Sequence, residues 1–378
     1  MYNIAKNSDK EKIKELWAYA FNEQEPFLSE YFNNFWKAEN AVILKNNEDL
    51  LIGALQMIPY NIMLSGKVVP SSYIVGISVS LDFRSKGFSK KLMRAALCEQ
   101  KKRREIISLL IPFSYEFYRK LGYRLCYTIN QFETEAKNFS NVEVSCDIKE
   151  MTIDDFSELG CIYENFCKDK NGYVIRTKSD WEYIFFEQKL FGGFVYGAYE
   201  KDKLSGYISV IKSPGKIAVR ELIYKDKAAF FSLLGFIASL LLANEKIEIR
   251  TSDDNILKIL KETKNTLKVM PTVMARVVDI PSVLSFSDIG ELKINVTDDL
   301  IEENCGTYEK INDNVVKTNN ENFDVSMDIG TLTELVLGFS SAKELAFLGL
   351  LNAEEEIINR LCNVFPKQTN YINHIMEE

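Results

Sequence analysis

The residues with the clearest chemical potential lie in one turn, between an apolar, β-rich run at 73–79 and a helical pattern. The turn and the first helical residues contain Arg84, Gly87 and Ser89 in the spacing R-x-x-G-x-S. A helix that starts after such a turn presents unpaired backbone N–H groups, which bind anions. Gly87 permits a positive φ angle or close approach of a ligand. Further positive charge follows from Lys86, Lys90, Lys91 and Arg94. The pattern indicates a phosphate or pyrophosphate site; a basic, solvated helix start would show the same residues.

A second apolar run, EIISLLIP at 105–112, leads through Phe113 and Ser114 into the short helical pattern YEFYRKLGY. Two neighbouring parallel strands that each lead into a helix leave a crevice at their carboxyl ends, where α/β folds bind ligands. The sequence therefore predicts an extended ligand between the two strand ends, with its anionic part on the first turn.

Periodicity and turn residues predict the elements that hold these turns. The first block contains helices at 10–21, 86–104 and 115–121 and strands at 41–44, 51–60, 74–79 and 105–112, followed by a polar linker at 137–147. The second block contains a helix in 151–166, strands at 194–199, 204–210, 219–224 and 246–250, a helix at 227–242 and a further helix after the last strand. The two blocks share one order of elements, which suggests an internal duplication. The last block alternates short strands with two apolar helices.

Composition excludes several classes of protein. The chain has 378 residues, 46% apolar and 26% charged, which is typical of a globular protein with two or three domains. Neither a membrane-spanning run of roughly 20 apolar residues nor a secretion signal is evident in the sequence. Seven scattered cysteines without a CxxC pair favour a reducing, cytoplasmic location. The single histidine, His374, argues against histidine-based metal sites, and we expect no metal.

The acidic groups are concentrated in the last block. Residues 281–378 contain 18 Asp and Glu against 6 Lys and Arg, a net charge of −12, whereas residues 1–280 have a net charge of +4. Nucleic-acid binding needs a basic surface, so this distribution argues against a nucleic-acid partner. It favours cationic partners, or simply keeps the protein soluble.

The two turns together resemble the GNAT acetyltransferase superfamily. In that superfamily a strand binds the pantetheine of acetyl-CoA, an R/Q-x-x-G-x-G/A turn holds the pyrophosphate, and F/Y-Y-x-x-x-G-F/Y follows the next strand. The matching segments here are 77–79, 84–89 and 117–123, with the small Ser89 in place of Gly or Ala. The resemblance implies that acetyl-CoA is the acetyl donor and is bound by Ile77, Ser78, Val79, Arg84, Ser85, Lys86, Gly87, Phe88, Ser89, Lys90, Phe113 and Ser114.

Over its whole length the chain resembles the Eis (enhanced intracellular survival) family, on the two GNAT-like blocks and a last block with LTELVLGFSSAKELAFLGLL and NVFPKQTNYIN. The resemblance implies an α/β (α+β) fold in three domains. These are a GNAT domain with the acetyl-CoA site at 1–140, a degenerate GNAT-like domain at 141–280 and a sterol-carrier-protein-like domain at 281–378. Eis-like enzymes acetylate amines, including aminoglycosides, often as hexamers, so we expect a homo-oligomer.

The resemblance also assigns roles to single residues. An amine attacks a thioester only after losing a proton, and the departing thiolate is helped by gaining one. The family's proton donor is the first tyrosine of Y-x-x-x-G-Y, which matches Tyr118; the alternative is an aromatic helix face packed on the sheet. We expect the Val79 N–H to stabilise the developing oxyanion and Tyr123 to be structural.

The family's base is the carboxylate at the end of the chain, which here is Glu378. This sequence departs from the family because it continues for five residues beyond the aromatic stretch 368–373. His374 is an alternative base, since imidazole titrates near pH 6.5. Glu23 and Glu25, in a loop after the first helix, are candidate ligands for substrate ammonium groups; a solvated loop would contain them equally well.

The leading hypothesis is an acetyl-CoA-dependent N-acetyltransferase. Its acceptor would be a primary amine of a cationic small molecule, aminoglycoside- or polyamine-like, or a lysine side chain. Two alternatives are a non-catalytic acyl-CoA- or lipid-binding carrier or regulatory protein, and an aminoacyl or peptidoglycan transferase on tandem GNAT units. The intact turn and Tyr118 argue against the first alternative, and the net charge of −8 does not favour the basic groove that the second requires.

Overall fold

The computed structural model describes residues 2–23, 25–260 and 265–373. The first third of the chain contains β1 (Tyr2–Ile4), α1 (Lys10–Phe21), α2 (Phe27–Asn34), β2 (Ala41–Lys45), β3 (Leu51–Leu64), β4 (Lys67–Val79), α3 (Phe88–Lys102), β5 (Ile107–Leu110), α4 (Tyr115–Arg119), β6 (Arg124–Leu125) and β7 (Thr128–Glu135).

The middle third contains β8 (Asp147–Glu150), α5 (Phe156–Phe166), β9 (Tyr173–Val174), α6 (Lys178–Leu190), β10 (Gly193–Glu200), β11 (Lys203–Ser213), β12 (Lys216–Tyr224), α7 (Lys227–Ser239), β13 (Lys246–Thr251), β14 (Thr266–Pro271) and β15 (Met274–Val277). The last third contains α8 (Ile280–Leu284), β16 (Ile294–Thr297), β17 (Gly306–Ile311), β18 (Asn314–Thr318), β19 (Val325–Asp328), α9 (Ile329–Val336), α10 (Ala342–Phe347), β20 (Leu351–Ala353) and α11 (Glu355–Val364).

The described strands form three sheets, which confirms the predicted α/β class. The first sheet has the order β1-β2-β3-β4-β5-β15-β6, with β9 paired to β3. The second has the order β14-β7-β13-β12-β11-β10-β8, and the third β18-β17-β16-β19-β20. Most neighbours are antiparallel; the parallel pairs are β16 with β19 in the third sheet, and, in the first two sheets, β4 with β5 and β12 with β13. Each of the last two pairs is joined through a helix, α3 or α7, as the duplication predicts.

Two strands cross between the first two sheets. β7 pairs with β13 and β14 in the second sheet, although it follows β6 of the first sheet after two residues, Cys126 and Tyr127. β15 returns from the second sheet to lie between β5 and β6. The two crossings run side by side, with the Cys126 N–H donating to the Val273 oxygen and the Thr272 N–H donating to the Tyr127 oxygen. The first two sheets therefore exchange strands: β7 precedes residue 140 but belongs to the second sheet, and β15 follows it but belongs to the first.

The helices cover both faces of the first sheet. On one face, α3 buries Leu92, Met93 and Ala96 against β2, β3 and β4. On the other face, α1 and α2 bury Trp17, Tyr31 and other apolar side chains in a core that continues into the third sheet. In the described part of the chain, no helix combines the length and apolar composition that crossing a bilayer requires.

Helix α1 has the predicted bounds. In the described residues between β13 and β14, where a further helix was predicted, the chain forms the 3-10 turn Asn255–Lys258, and residues 261–264 lie outside the described residues. Side-chain hydrogen bonds hold this turn: the Tyr224 hydroxyl donates to Asp253 over 2.6 Å, and the Asn255 amide donates to the same hydroxyl over 2.8 Å. These local bonds compete with helix formation.

Candidate active site

A crevice opens in the first sheet where β4 and β5 separate. The two strands pair only from Ser71 with Ile107 to Tyr73 with Leu109, while β4 continues along β3 to Val79. The pairing with β3 shifts where Gly76 and Ile77 lie opposite Leu55, which is a β-bulge. Gly76, which no sequence motif marks, is required by this bulge. Its φ angle is +66°, and a Cβ atom there would lie 2.3 Å from the Trp17 ring.

The end of β4 turns its backbone toward this crevice. The Ser80 N–H donates to the Ile52 oxygen of β3 over 2.9 Å, so alternation places the Val79 N–H on the opposite, open edge. The Val79 oxygen accepts from Arg84 Nε over 3.2 Å instead of from a neighbouring strand. Arg84 thus fixes the strand end, and the Val79 N–H lies on the open edge; its role toward an oxyanion stays a prediction.

The turn after β4 leaves the start of α3 without a side-chain cap. Ser85 and Gly87 both have positive φ angles, +60° and +77°, which turn the backbone sharply before the helix. Lys86 donates to the Asp82 oxygen over 2.7 Å, and α3 begins at Phe88, two residues later than predicted. The N–H groups of Phe88, Ser89 and Lys90 lie in the first turn of the helix, where they can donate hydrogen bonds to an anion.

Helix α4 follows the other strand of the crevice and contains Tyr118. Ser114 caps this helix, its hydroxyl accepting from the Phe117 N–H over 3.3 Å. The Tyr118 ring is buried at 3% exposure and packs edge-on against Phe113, with 5.2 Å between ring centroids. Phe113 itself is 68% exposed beside it. Tyr123 lies deeper, where burial raises its pKa and its hydroxyl is 2.7 Å from Ser108, which is the structural role that we predicted.

The predicted acceptor ligands lie in the loop before α2. The Glu25 carboxylate accepts from the Ser29 hydroxyl over 2.6 Å and lies 3.5 Å from Lys14, and the Ser29 hydrogen bonds hold its pKa below the usual value. Glu25 thus forms hydrogen bonds with the first turn of the helix that follows it. Glu23 is half-buried in the same loop. The structure places neither carboxylate in the cavity described next.

A cavity of about 300 Å³ lies between the first sheet and the start of α6. It is lined by Tyr31, Asn34, Phe35, Lys37, Asn40, Gln56, Ile58, Pro59, Tyr60, Thr177, Ser179, Asp180 and Tyr183. Among the described residues, the buried Gln56 Nε2 and the Tyr183 hydroxyl have no hydrogen-bond partner. Burial raises the pKa of Asp180. No local pattern in the sequence marks this cavity, because it joins α2 and β3 to α6, which begins more than 100 residues after β3 ends.

The end of the chain is anchored up to Asn373, whereas Glu378 and His374 lie outside the described residues. Arg176 and Glu221 form a buried, two-pronged ion pair with N–O distances of 2.8 and 2.9 Å. The Tyr371 hydroxyl donates to Glu221 over 2.8 Å, and Arg176 donates to the Asn373 oxygen over 3.0 Å. The last described residues are therefore fixed on the second sheet, beside β9 of the first.

The crevice is built from groups that bind anions and donate protons, and nothing in the described part of the chain gathers three or more potential metal ligands. All seven cysteines are free thiols. Backbone N–H groups, clustered lysines and a buried tyrosine suit binding of a phosphate-bearing ligand and transfer of a neutral group.

Comparison with known domains agrees with this chemistry. Residues 2–126 and residues 172–277 each match an acetyltransferase (GNAT) domain, and residues 281–373 match a sterol carrier protein domain. GNAT domains typically use acetyl-CoA and act on amines, so the matches support an acyltransferase. No curated protein sequence matches the chain significantly.

Several solved structures share the fold over the full length. A GCN5-related N-acetyltransferase from Anabaena variabilis is 20% identical with a TM-score of 0.85, covering 98% of both chains. An Enterococcus faecalis protein described as a probable N-acyltransferase is 22% identical with a TM-score of 0.85, covering 97% of both chains. Eis1 from Mycobacterium abscessus is 18% identical with a TM-score of 0.79, covering 99% of both. At these identities the similarity shows the fold, and the narrower Eis assignment stays a prediction.

Proposed function

We propose that this chain is an acetyl-CoA-dependent N-acetyltransferase that acts on a primary amine of a cationic small molecule or of a lysine side chain. One juxtaposition carries the proposal. The crevice between β4 and β5 lies between the uncapped start of α3 and the buried Tyr118 of α4. An anion-binding helix start and a proton donor at the same crevice suit a phosphate-bearing acyl donor.

The turn fits a pyrophosphate. No atom lies within 4 Å of the position that a Cβ would take at Gly87, so a ligand can approach the backbone there. The N–H groups of 88–90 would hold the phosphate oxygens, with Lys86 and Lys90 adding positive charge. The open edge of β4 at Ile77 and Val79 would bind the pantetheine amides, beside the exposed ring of Phe113.

The chain's own groups then assist the transfer. Bound acetyl-CoA supplies the acetyl group as a thioester. The Val79 N–H donates a hydrogen bond where the carbonyl oxygen gains negative charge. The Tyr118 hydroxyl holds the proton that the departing sulfur takes. A phenol has a pKa near 10, only about 1.5 units above that of a typical thiol, so this proton transfer is only slightly uphill.

The cavity beside the crevice is a candidate acceptor site. Its Gln56 pairs with Val75, the residue that precedes the bulge at Gly76, so the cavity begins next to the strand end. Four aromatic rings and Asp180 line it, and aromatic faces with a carboxylate attract ammonium groups. This assignment adds to the earlier prediction of Glu23 and Glu25, which lie in the neighbouring loop.

Glu378 remains the proposed base. The five residues after Asn373 can span at most about 18 Å, which sets the reach of the terminal carboxylate. Deleting Met376–Glu378 should lower the rate most near neutral pH, because the amine acceptor is then protonated. The defect should shrink at higher pH, where free amine forms unaided. Wild-type activity of the shortened chain across this pH range would exclude the terminal carboxylate as the base.

The central test is release of free thiol from acetyl-CoA with a panel of amines. We expect release to depend on a primary amine and to yield the acetylated product by mass spectrometry. Polyamines, aminoglycosides and a lysine peptide distinguish the acceptor classes. Thermal stabilisation by acetyl-CoA without transfer to any amine would favour the carrier alternative instead. We also propose a cytoplasmic homo-oligomer; a monomer by light scattering across a wide concentration range would exclude the oligomer.

A further inference from the structure

The turn that follows α4 is held by residues that lie far from it in the sequence. Arg276 projects from the exchanged strand β15, its side chain only 1% exposed. It donates to the Leu121 oxygen with one nitrogen and to the Asp298 carboxylate with the other. Asp298 belongs to the loop after β16 of the third sheet and is fully buried. A single guanidinium thus joins the end of α4 to the sterol-carrier-like part of the chain.

The Asp298 carboxylate is itself fixed. It accepts from the backbone N–H groups of Leu300 and Ile301, both over 3.0 Å, and from the Asn304 amide over 2.8 Å. Burial acts to raise its pKa, but the charge of Arg276 and these hydrogen bonds outweigh burial and hold the pKa below the usual value. The pair is therefore charged and rigidly placed at neutral pH.

Shape complementarity reinforces this contact. Gly122 has a φ angle of +80°, and a Cβ there would lie 1.8 Å from Arg276 Nη1 and 2.7 Å from Ile329 Cγ2 of α9. The adjacent Arg124 donates to Asp328, at the start of α9, over 2.6 Å. The turn is therefore contacted both by Arg276 of β15 and by the start of α9.

The turn is bonded directly to Tyr118. The N–H groups of Leu121 and Tyr123 both donate to the backbone carbonyl oxygen of Tyr118, over 3.0 and 3.1 Å. Helix α4 spans five residues, too few to be stable without tertiary contacts. The position of the Tyr118 ring therefore depends on what holds residues 121–124.

We propose that Arg276 and Asp298 are positioning residues for Tyr118, and that the sterol-carrier-like domain acts as a buttress for the acetyltransfer site. This inference rests on the proposed role of Tyr118 as proton donor. It assigns the third domain a part in catalysis that does not depend on a bound lipid.

The test is a double-mutant cycle. Asp298→Asn removes the counter-charge of Arg276 while keeping side-chain volume. We expect kcat to fall roughly 10–100-fold, because small displacements of a catalytic group are costly, with little change in the KM for acetyl-CoA. In a Tyr118→Phe background, Asp298→Asn should cause little further loss, since the group that it positions is already absent.

Two variants complete the experiment. Arg276→Lys keeps the buried charge but cannot reach both Leu121 and Asp298, so we expect an intermediate loss of kcat. Leu361→Ala, at a buried position of α11, controls for lost stability and should leave kcat unchanged below its melting temperature. Wild-type kcat in folded Asp298→Asn or Arg276→Lys protein, or losses that add fully to that of Tyr118→Phe, would overturn the buttress. A wild-type rate for Tyr118→Phe alone would instead overturn the proton-donor assignment beneath it.

Discussion

The first two sheets contain the same strand–helix junction, finished in two different ways. Between β4 and α3 the chain uses eight residues, 80–87, two of them with positive φ angles, and leaves the helix start without a side-chain cap. Between β12 and α7 it uses only Lys225 and Asp226. The Asp226 carboxylate accepts from the Ala229 N–H over 2.9 Å, so the chain itself supplies the anion at this helix start.

The spaces beyond the ends of the two parallel strand pairs also differ: the first is open and the second is occupied by side chains. The second parallel pair ends at Val219 with Ile249, as the first ends at Tyr73 with Leu109. Beyond that point the second sheet holds the buried Arg176–Glu221 pair with the hydroxyl groups of Tyr207 and Tyr371. The same strand–helix arrangement can therefore leave room for a ligand or form a structural contact. The difference is whether side chains of the chain itself occupy the polar positions at its end.

The largest effect should come from removing the Tyr118 hydroxyl group, which lies at the first crevice. Tyr118→Phe keeps the ring that packs on Phe113 and deletes the transferable proton. We expect kcat to fall by about 10²–10⁴-fold, or roughly 3–5 kcal/mol of transition-state stabilisation, with little change in acetyl-CoA affinity. Steady-state kinetics check both quantities.

The matched control is Tyr115→Phe on the same helix. The Tyr115 hydroxyl donates to the Pro271 oxygen over 3.1 Å, away from the crevice. The Tyr115→Phe variant should therefore retain the wild-type kcat. Equal losses in both variants would mean that α4 contributes packing and that the proton comes from elsewhere.

Blocking the uncapped helix start should have the next largest effect. In Gly87→Glu, a bulky carboxylate would occupy the space where an anion binds and would repel it. We expect at least a 30-fold weaker Kd for acetyl-CoA, or about 2 kcal/mol, from the lost helix-terminus interaction and like-charge repulsion. Titration calorimetry measures this directly.

Gly215 offers a control for backbone strain. It has a φ angle of +73° at a hairpin of the second sheet, with no atom within 4 Å of its Cβ position. Gly215→Glu thus introduces the same side chain at a similar φ angle, far from the first junction, and should bind acetyl-CoA normally. If both variants bind normally, the turn at 84–87 is not the pyrophosphate site.

At the capped junction between β12 and α7, we expect a substitution to change stability and to leave acetyl-CoA binding unchanged. Asp226→Ala removes the cap of α7 and should lower the free energy of unfolding by about 0.5–2 kcal/mol. Acetyl-CoA affinity should not change, because the second crevice is filled. Chemical denaturation with and without acetyl-CoA separates the two results; weaker acetyl-CoA binding would show that the second sheet also contributes to the site.

A third helix start extends the comparison and gives the smallest effect. At α10, Glu344 accepts from Lys367 and from the Ser341 N–H and hydroxyl, which lower its pKa to about 2. A depressed carboxyl pKa stabilises the fold above pH 4.5, and this contribution is lost as pH falls toward 2. About half of the side chain is exposed, so screening limits the effect to about 1 kcal/mol. Wild type and Glu344→Gln should therefore differ in stability at pH 6 and converge near pH 2.

The turn at 84–89 and helix α4 could be predicted from the sequence because each is a local pattern. Glycine, small residues and a strand–helix change of period fall within ten residues there. The parts that were missed depend on contacts between distant segments. Gly76 looks like any strand glycine until Trp17 packs on it, and Asp180 reaches the cavity only because β9 pairs with β3. Arg276 was likewise assigned to the second block, since nothing local shows that its strand pairs with β5.

The exchanged strand β15 also sets an order of events during synthesis of the chain. Leu110 at the end of β5 must wait for its partner Met274, which at about 5–20 residues per second means roughly 8–33 s. During that interval β5 is an unpaired edge, open to wrong pairing or aggregation. A ribosome-bound fragment that ends near residue 140 has every element of the cofactor crevice but an incomplete first sheet. Folding of the site is thereby coupled to completion of the later domains, so truncated chains should be cleared as unfolded protein rather than persist as partly active enzyme.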